Sequence, residues 1–260
     1  MTDLTAIKHI FTGTEIWIGL ASGLLIGSTG AGTGSLMTPL LIIAGYRPAV
    51  AISTSLGTLV FSKLTGATLH RLLGHWPDRN TAMVVLGGAT GVLLAWSATN
   101  WLLHQAPFPD SFLKIILGVV LLLTAASMQF STHEVHHGLL RDFADKPWLL
   151  FVIGAFVASI VATTAAGSGT LLVTALVATT VWRVPQLAAV SNIYGLVVSV
   201  LSFVFRLQLG FDLQLFLLIM LGLVPGVIAG AYLSRTISRR WFVRGIGVVT
   251  GFLGVRMLFF

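Results

Sequence analysis

What most constrains this chain is a series of apolar runs, each about as long as a bilayer is thick. Residues 80–103, 111–130, 184–205, 213–233 and 241–260 are such runs. A helix needs about 20 mostly apolar residues to cross the hydrocarbon, and these segments meet that length. In lipid the backbone must satisfy its own hydrogen bonds, so runs of this length read as helices. They do not read as the short alternating strands of a barrel. Of 260 residues, 56% are hydrophobic and 9% charged. So few polar groups cannot cover a water-soluble surface. The expected fold is an all-α polytopic membrane protein, multi-pass in the cell membrane, with the lipid bilayer as its first partner.

Other classes fall away on composition. Cysteine is absent, which removes disulfides and thiolate metal sites. The net charge of +7 comes from basic residues scattered at run ends and loops, where they set topology. No nucleic-acid partner and no cofactor is expected. The first apolar run, from Ile16, leads into a Gly-rich stretch and lacks the cleavage pattern of a signal peptide. The longest polar stretch, 129–147, carries His133, Glu134, His136 and His137. Their spacing is irregular, so this segment reads as a solvated linker and not as a metal site.

The chain reads as two copies of one unit. GSTGAGTGSL (27–36) is answered by TTAAGSGTL (163–171). Arg47-Pro48 followed by AVAISTSLG (49–57) is answered by Arg183-Val184-Pro185 followed by QLAAVSNIYG (186–195). GGATGVLL (87–94) matches GLVPGVIA (222–229), and Phe112, Lys114 and GVV (118–120) match Phe242, Arg244 and GVV (247–249). Matches in one order along both halves indicate a duplication. The expected organisation is a first transmembrane repeat over 1–128, a polar linker over 129–147 and a second repeat over 148–260.

Charge sets the orientation. In the first half the loop with His70, Arg71, His75 and Arg79 is basic, and the next loop, 104–110, has no Lys or Arg. In the second half the order reverses: the basic loop is the later one, with Arg235, Arg239, Arg240 and Arg244. With both basic loops cytoplasmic, the halves are inverted repeats. Each then holds a Gly-broken segment, re-entrant or discontinuous, plus three transmembrane helices. An odd number of crossings per half favours re-entrant hairpins at 15–45 and 148–180.

Irregular backbone at membrane depth survives only where it is buried or lines a cavity, so the two breaks are the leading site candidates. Gly30, Gly32 and Gly34 in the first, and Gly167 and Gly169 in the second, permit close approach of a ligand to backbone amides. A new helix is expected after each break, at about Ser35 and Thr170. Its N–H groups and positive dipole end suit an anion. Hydroxyls crowd the same places: Ser28, Thr29, Thr33, Ser35, Thr163, Thr164, Ser168 and Thr170. Small residues also serve merely to pack helices closely. A second matched element places Ser53, Thr54 and Ser55 against Ser191 and Asn192. Lys63 lies deep in the apolar run 49–69, with no intramembrane acid to pair with it. A lone Lys there costs at least about 2.5 kcal/mol unless it is paired or wet. Lys63 is therefore expected to face a substrate, with snorkelling as the bland alternative.

At these residues the chain resembles the TauE/SafE sulfite and organosulfonate exporter family. The resemblance rests on GSTGAGTGS (27–35), YRPAVAISTSLG (46–57), HRLLGHWPD (70–78), AAGSGT (165–170) and VPQLAAVSN (184–192), and covers nearly the whole chain. It implies a secondary transporter or exporter of a small anion, sulfite or a short organosulfonate. Thr29, Ala31, Thr33 and Ser168 interrupt the family's denser Gly run, so hydroxyl donors replace part of the usual Gly backbone. A homo-oligomer is compatible with this reading. Two other classes compete. A proton-coupled carrier lacks carboxylates at depth to relay the proton. An intramembrane serine protease using Ser168, with His70 or His104 as base, needs Gly at 166, where Ala166 stands.

Overall fold

The computed structural model describes residues 13–29, 34–72, 79–105, 110–130, 146–180, 182, 184–233 and 239–259. These residues form α-helices and no strand. In chain order they are α1 (Thr14–Thr29), α2 (Gly34–Ile43), α3 (Pro48–Leu72), α4 (Arg79–Gln105), α5 (Asp110–Phe130), α6 (Pro147–Thr164), α7 (Thr170–Thr179), α8 (Val184–Arg206), α9 (Leu213–Leu233) and α10 (Arg239–Phe259). A 3-10 turn, Leu207–Leu209, prolongs α8. The expected breaks fall between α1 and α2 and between α6 and α7. The linker's residues 131–145, including its histidines, lie outside the described residues.

Five helices, α4, α5, α6, α8 and α9, are long and apolar enough to cross a membrane. The helices α3 and α10 match them in length but not in apolarity. The first carries Lys63 and seven hydroxyl residues from Ser53 to Thr68, the second Arg239, Arg240, Arg244 and Arg256. Large apolar side chains such as Leu94, Phe156 and Leu221 point outward at 65–67% exposure, as lipid contact requires.

Glycine spacing explains how the helices pair. Gly19, Gly23 and Gly27 on α1 lie against the backbone of Ile219, Leu223 and Val227 on α9, and Gly222, Gly226 and Gly230 lie against Ile16, Leu20 and Leu24. Small residues at every fourth position let two backbones touch. In the other half, Gly87 and Gly91 on α4 meet Phe151 and Ala155 on α6, and Gly154 meets Val84. Ser159 Oγ adds a hydrogen bond to the Gly91 carbonyl at 3.0 Å. Residue numbers rise together across both interfaces, so α1 runs parallel to α9 and α4 parallel to α6.

Two further pairs are antiparallel. On α3 and α8, Lys63 meets Asn192 and Gly195 while Ser53 reaches Arg206. On α5 and α10, Gly118 meets Leu258 and Gly247 meets Gln129. Two apolar cores result. Met37, Leu41, Leu117, Leu121 and Ile219 anchor one; Ile52, Val84, Leu150, Leu172 and Tyr194 anchor the other. Leu171, just past the second break, packs against both.

Candidate functional site

The second break is described in full. The helix α6 stops at Thr164 because Ala165 turns left-handed, at φ 59°, and its N–H closes on the Val161 carbonyl at 2.7 Å. Left-handed backbone strains any residue with a Cβ. Thr164 Oγ1 donates to the Ile160 carbonyl at 2.7 Å and accepts from the Ala166 amide at 3.2 Å. Gly167 follows at φ +85°, the left-handed region that glycine tolerates. A Cβ there would meet Leu171 at 2.5 Å and Thr124 of α5 at 3.5 Å. Helix α7 then starts at Thr170, where it was expected. Its first-turn amides are partly spent: Leu171 N–H donates to the Gly167 carbonyl at 3.0 Å and Val173 N–H to Gly169 at 3.1 Å. Ser168 is 2% exposed, and neither its hydroxyl nor that of Thr170 has a partner among the described residues.

At the first break, Gly30, Gly32 and Thr33 lie outside the described residues, and so does the side chain of Thr29. Gly34 opens α2, one residue before the expected start, and Ser35 is buried beside it. Ser28 spends its hydroxyl proton on its own helix, on the Leu24 and Leu25 carbonyls at 2.6 and 3.1 Å. Thr58 Oγ1 of α3 donates to the Ser55 carbonyl at 2.8 Å and lies 3.2 Å from Met37 Sδ, so the start of α2 packs against α3.

The matched Ser/Asn elements lie on α3 and α8, apart from each other. Ser53 donates to the Ala49 carbonyl at 2.9 Å and lies 3.5 Å from the Arg206 carbonyl. Thr54 and Ser55 are fully buried, with hydroxyls that find no partner among the described residues. Ser191 is buried near the other end of the pair, next to Asn192. Lys63 is 2% exposed, and its ammonium reaches Asn192 Oδ1 at 3.5 Å. Among the described residues no carboxylate pairs with it. It does not snorkel. Its stem crosses Gly195, whose absent side chain makes the room: a Cβ there would stand 2.9 Å from Lys63 Cε.

Two features escaped the sequence reading. Arg206 follows the apolar run 184–205 and precedes Asp212 by six residues, yet it is 5% exposed and donates to the Ala162 and Thr163 carbonyls at 2.8 and 3.1 Å. Glu15, at a helix start, is 2% exposed and accepts from the Tyr46 hydroxyl at 2.7 Å. Burial, and then the Glu15 carboxylate, push the Tyr46 phenol well above its ordinary value. Only the cation had a readable signal, a charge closing an apolar run whose nearest acid is six residues on.

With this geometry in view, the chain can be set beside known proteins. The sequence model of a family described as "Sulfite exporter TauE/SafE" matches residues 16–257. A Bacillus subtilis (strain 168) protein described as "Probable membrane transporter protein YjnA" is 29% identical over 236 residues, covering 86% of this chain and 91% of that one. No solved structure matches.

Proposed function

This chain belongs to the sulfite exporter TauE/SafE family, and from that premise we propose that it carries sulfite or a short organosulfonate as an anion held between the two breaks. The coarser statement stands without proposal. The chain is a multi-pass membrane transporter and not an enzyme, as its family and its relative are.

The observation that carries the anion reading is Lys63. A cation 2% exposed, with only an amide oxygen for company among the described residues, is expensive inside a bilayer unless it is wet or an anion visits it. The partnerless hydroxyls of Ser168 and Thr170 at the second break, and of Thr54 and Ser55 on α3, support the same reading. We assign substrate contact to Gly30, Gly32, Thr33, Gly34 and Ser35 at the first break and to Gly167, Ser168, Gly169 and Thr170 at the second, and we assign Ser55, Lys63, Ser191 and Asn192 to the anion's path along the α3–α8 pair.

Helix sense supports the inverted repeat. Counterparts α3 and α8 run antiparallel, as do α5 and α10. The α8 helix also runs parallel to α4, with Gly88 against Tyr194 and Val198 and Trp96 against Phe205, and a returning α7 between α6 and α8 fits a re-entrant arm. An inside-negative potential then drives the anion outward, at about 2.3 kcal/mol per charge per 100 mV. The test is flux of labelled sulfite from proteoliposomes at a set potential. Wild type should respond to voltage, and Lys63→Met should raise KM while the protein still folds. Voltage-independent flux with an unchanged KM would sink the reading.

A further inference from the structure

A second cation is buried on the α3–α8 pair, at the end opposite Lys63. Arg206 closes the last turn of α8, and its two hydrogen bonds hold the last turn of α6, just before the second break. A guanidinium has five N–H donors, so three remain after the bonds to Ala162 and Thr163. Arg206 lies on the wall of a small, partly open cavity of about 10 Å³ between α4, α6 and α8, room for about one water-sized group, that Trp96, Thr99, Thr163, Ser202 and Phe205 also line. Ser202 is 1% exposed, and its hydroxyl has no partner among the described residues. Leaving a buried hydroxyl unpaired is costly, so this one points to a ligand. Trp96 and Phe205 stack at 5.2 Å and give the cavity an apolar wall. No carboxylate is among the residues that line it.

We propose that this cavity is a second anion station, where a singly charged oxyanion docks at the open side and places one oxygen between the Arg206 guanidinium and the Ser202 hydroxyl. The proposal rests on the anion reading and adds a substrate class to it. One cation and neutral donors compensate one negative charge. A dianion would keep a second charge uncompensated against the aromatic wall, which is costly. Monoanions such as alkyl sulfonates and hydrogen sulfite are therefore preferred over sulfate. Asn192, beside Lys63, and Arg206 are fourteen residues apart on α8, about 21 Å at the helical rise. The two cations thus mark separate stations, and a carrier can pass its cargo from one to the other.

The test separates the stations. The full chain in detergent is titrated with methanesulfonate, and separately with sulfate, at constant ionic strength, and anion-dependent thermal stabilisation is read. Lys63→Met should leave one saturable component, with methanesulfonate effective at lower concentration than sulfate. Adding Ser202→Ala to that background should weaken the component roughly tenfold, as loss of a hydrogen bond to a charged group does. Arg206→Lys, which keeps the charge but loses the fork, should weaken it as well. Ser202→Ala deletes only an unpartnered hydroxyl, so the melting point without anion should hold, and this variant decides the matter if the arginine variant does not fold. If Lys63→Met abolishes all stabilisation, or the added substitutions change nothing, the second station is refuted while the anion reading stands. If no anion stabilises the wild type, both fall.

Discussion

Replacing Gly226 by Ala tests the interface that fixes α1, the entry arm of the first break. A Cβ at Gly226 would stand 2.5 Å from the Leu20 carbonyl oxygen, 3.0 Å from Gly23 Cα and 3.1 Å from the Leu20 carbonyl carbon. All three are backbone atoms, so none can rotate aside. To restore an ordinary contact the helices must part by roughly 1 Å, enough to forfeit a quarter to a half of each dispersion well along the seam. Overpacking of this kind costs about 1–3 kcal/mol, and the interface has no softer neighbour to absorb it, so the upper end applies. Alanine's better helix propensity returns about 1 kcal/mol, which leaves a net loss of about 2 kcal/mol. Gly245 on α10 is the control, because a Cβ there meets nothing within 4 Å. The same chemical change at Gly245 should stabilise by up to about 1 kcal/mol. Thermal unfolding in detergent, followed by the fluorescence of the chain's seven tryptophans, compares the two. A Gly226→Ala protein that melts at or above wild type would refute the packing argument.

Three further outcomes are expected. Gly195→Ala should push Lys63 off Asn192, because its Cβ meets the flexible Lys63 Cε and Cδ at 2.9 and 3.0 Å; the KM for anion flux should rise about tenfold with little loss of stability, and an unchanged KM would argue against Lys63 as a ligand. Ala165→Gly should relieve the left-handed residue at φ 59° and raise stability by about 1 kcal/mol, and a lower melting point would show that the strain is misread. Reporter fusions at Phe260 and within 133–142 should report opposite faces of the membrane; both on one face would remove the inverted, re-entrant topology.

Much of the helical frame was readable because hydrophobic length is a local property. The apolar run 80–103 became α4 (Arg79–Gln105), and 213–233 matched α9 to the residue. The helix starts at Gly34 and Thr170 were readable for a similar reason, since glycine breaks and hydroxyl residues mark helix ends by their own backbone chemistry. What could not be read depends on partners far away in sequence. The burial of Arg206 is decided by the Ala162 and Thr163 carbonyls, over forty residues back, and that of Glu15 by Tyr46, 31 residues on. The spacing of Gly19, Gly23 and Gly27 announces a close helix contact, but no local signal names α9 as the partner. Nor did the run at 49–69 reveal that α3 would be buried along much of its length. Its hydroxyls lower its apolarity, and only the packing shows that Ser53, Thr54, Ser55 and Thr58 face protein while Thr65 and Thr68 are exposed.

The hydroxyls themselves can be sorted by where their single proton goes. An anion needs donors, and a serine or threonine has one proton to give. Ser28, Ser53, Thr163 and Thr164 each commit that proton to a carbonyl three or four residues back on their own helix, the usual intrahelical habit of these side chains. An anion could engage them only by breaking that bond first. The hydroxyls of Ser22, Thr38, Thr54, Ser55, Ser168, Thr170, Ser202 and Thr250 are buried with the proton uncommitted among the described residues. Hydroxyl content alone therefore overstates the site, and proton availability narrows it. Three of the uncommitted hydroxyls stand with the buried cations: Ser202 shares a cavity wall with Arg206, while Thr54 and Ser55 lie on α3 between Ser53, which reaches Arg206, and Lys63. A cation substrate would require the opposite arrangement, with free oxygens and buried carboxylates along this pair. Here the buried groups along α3 and α8 offer protons, which supports the proposed anion independently of the family's name.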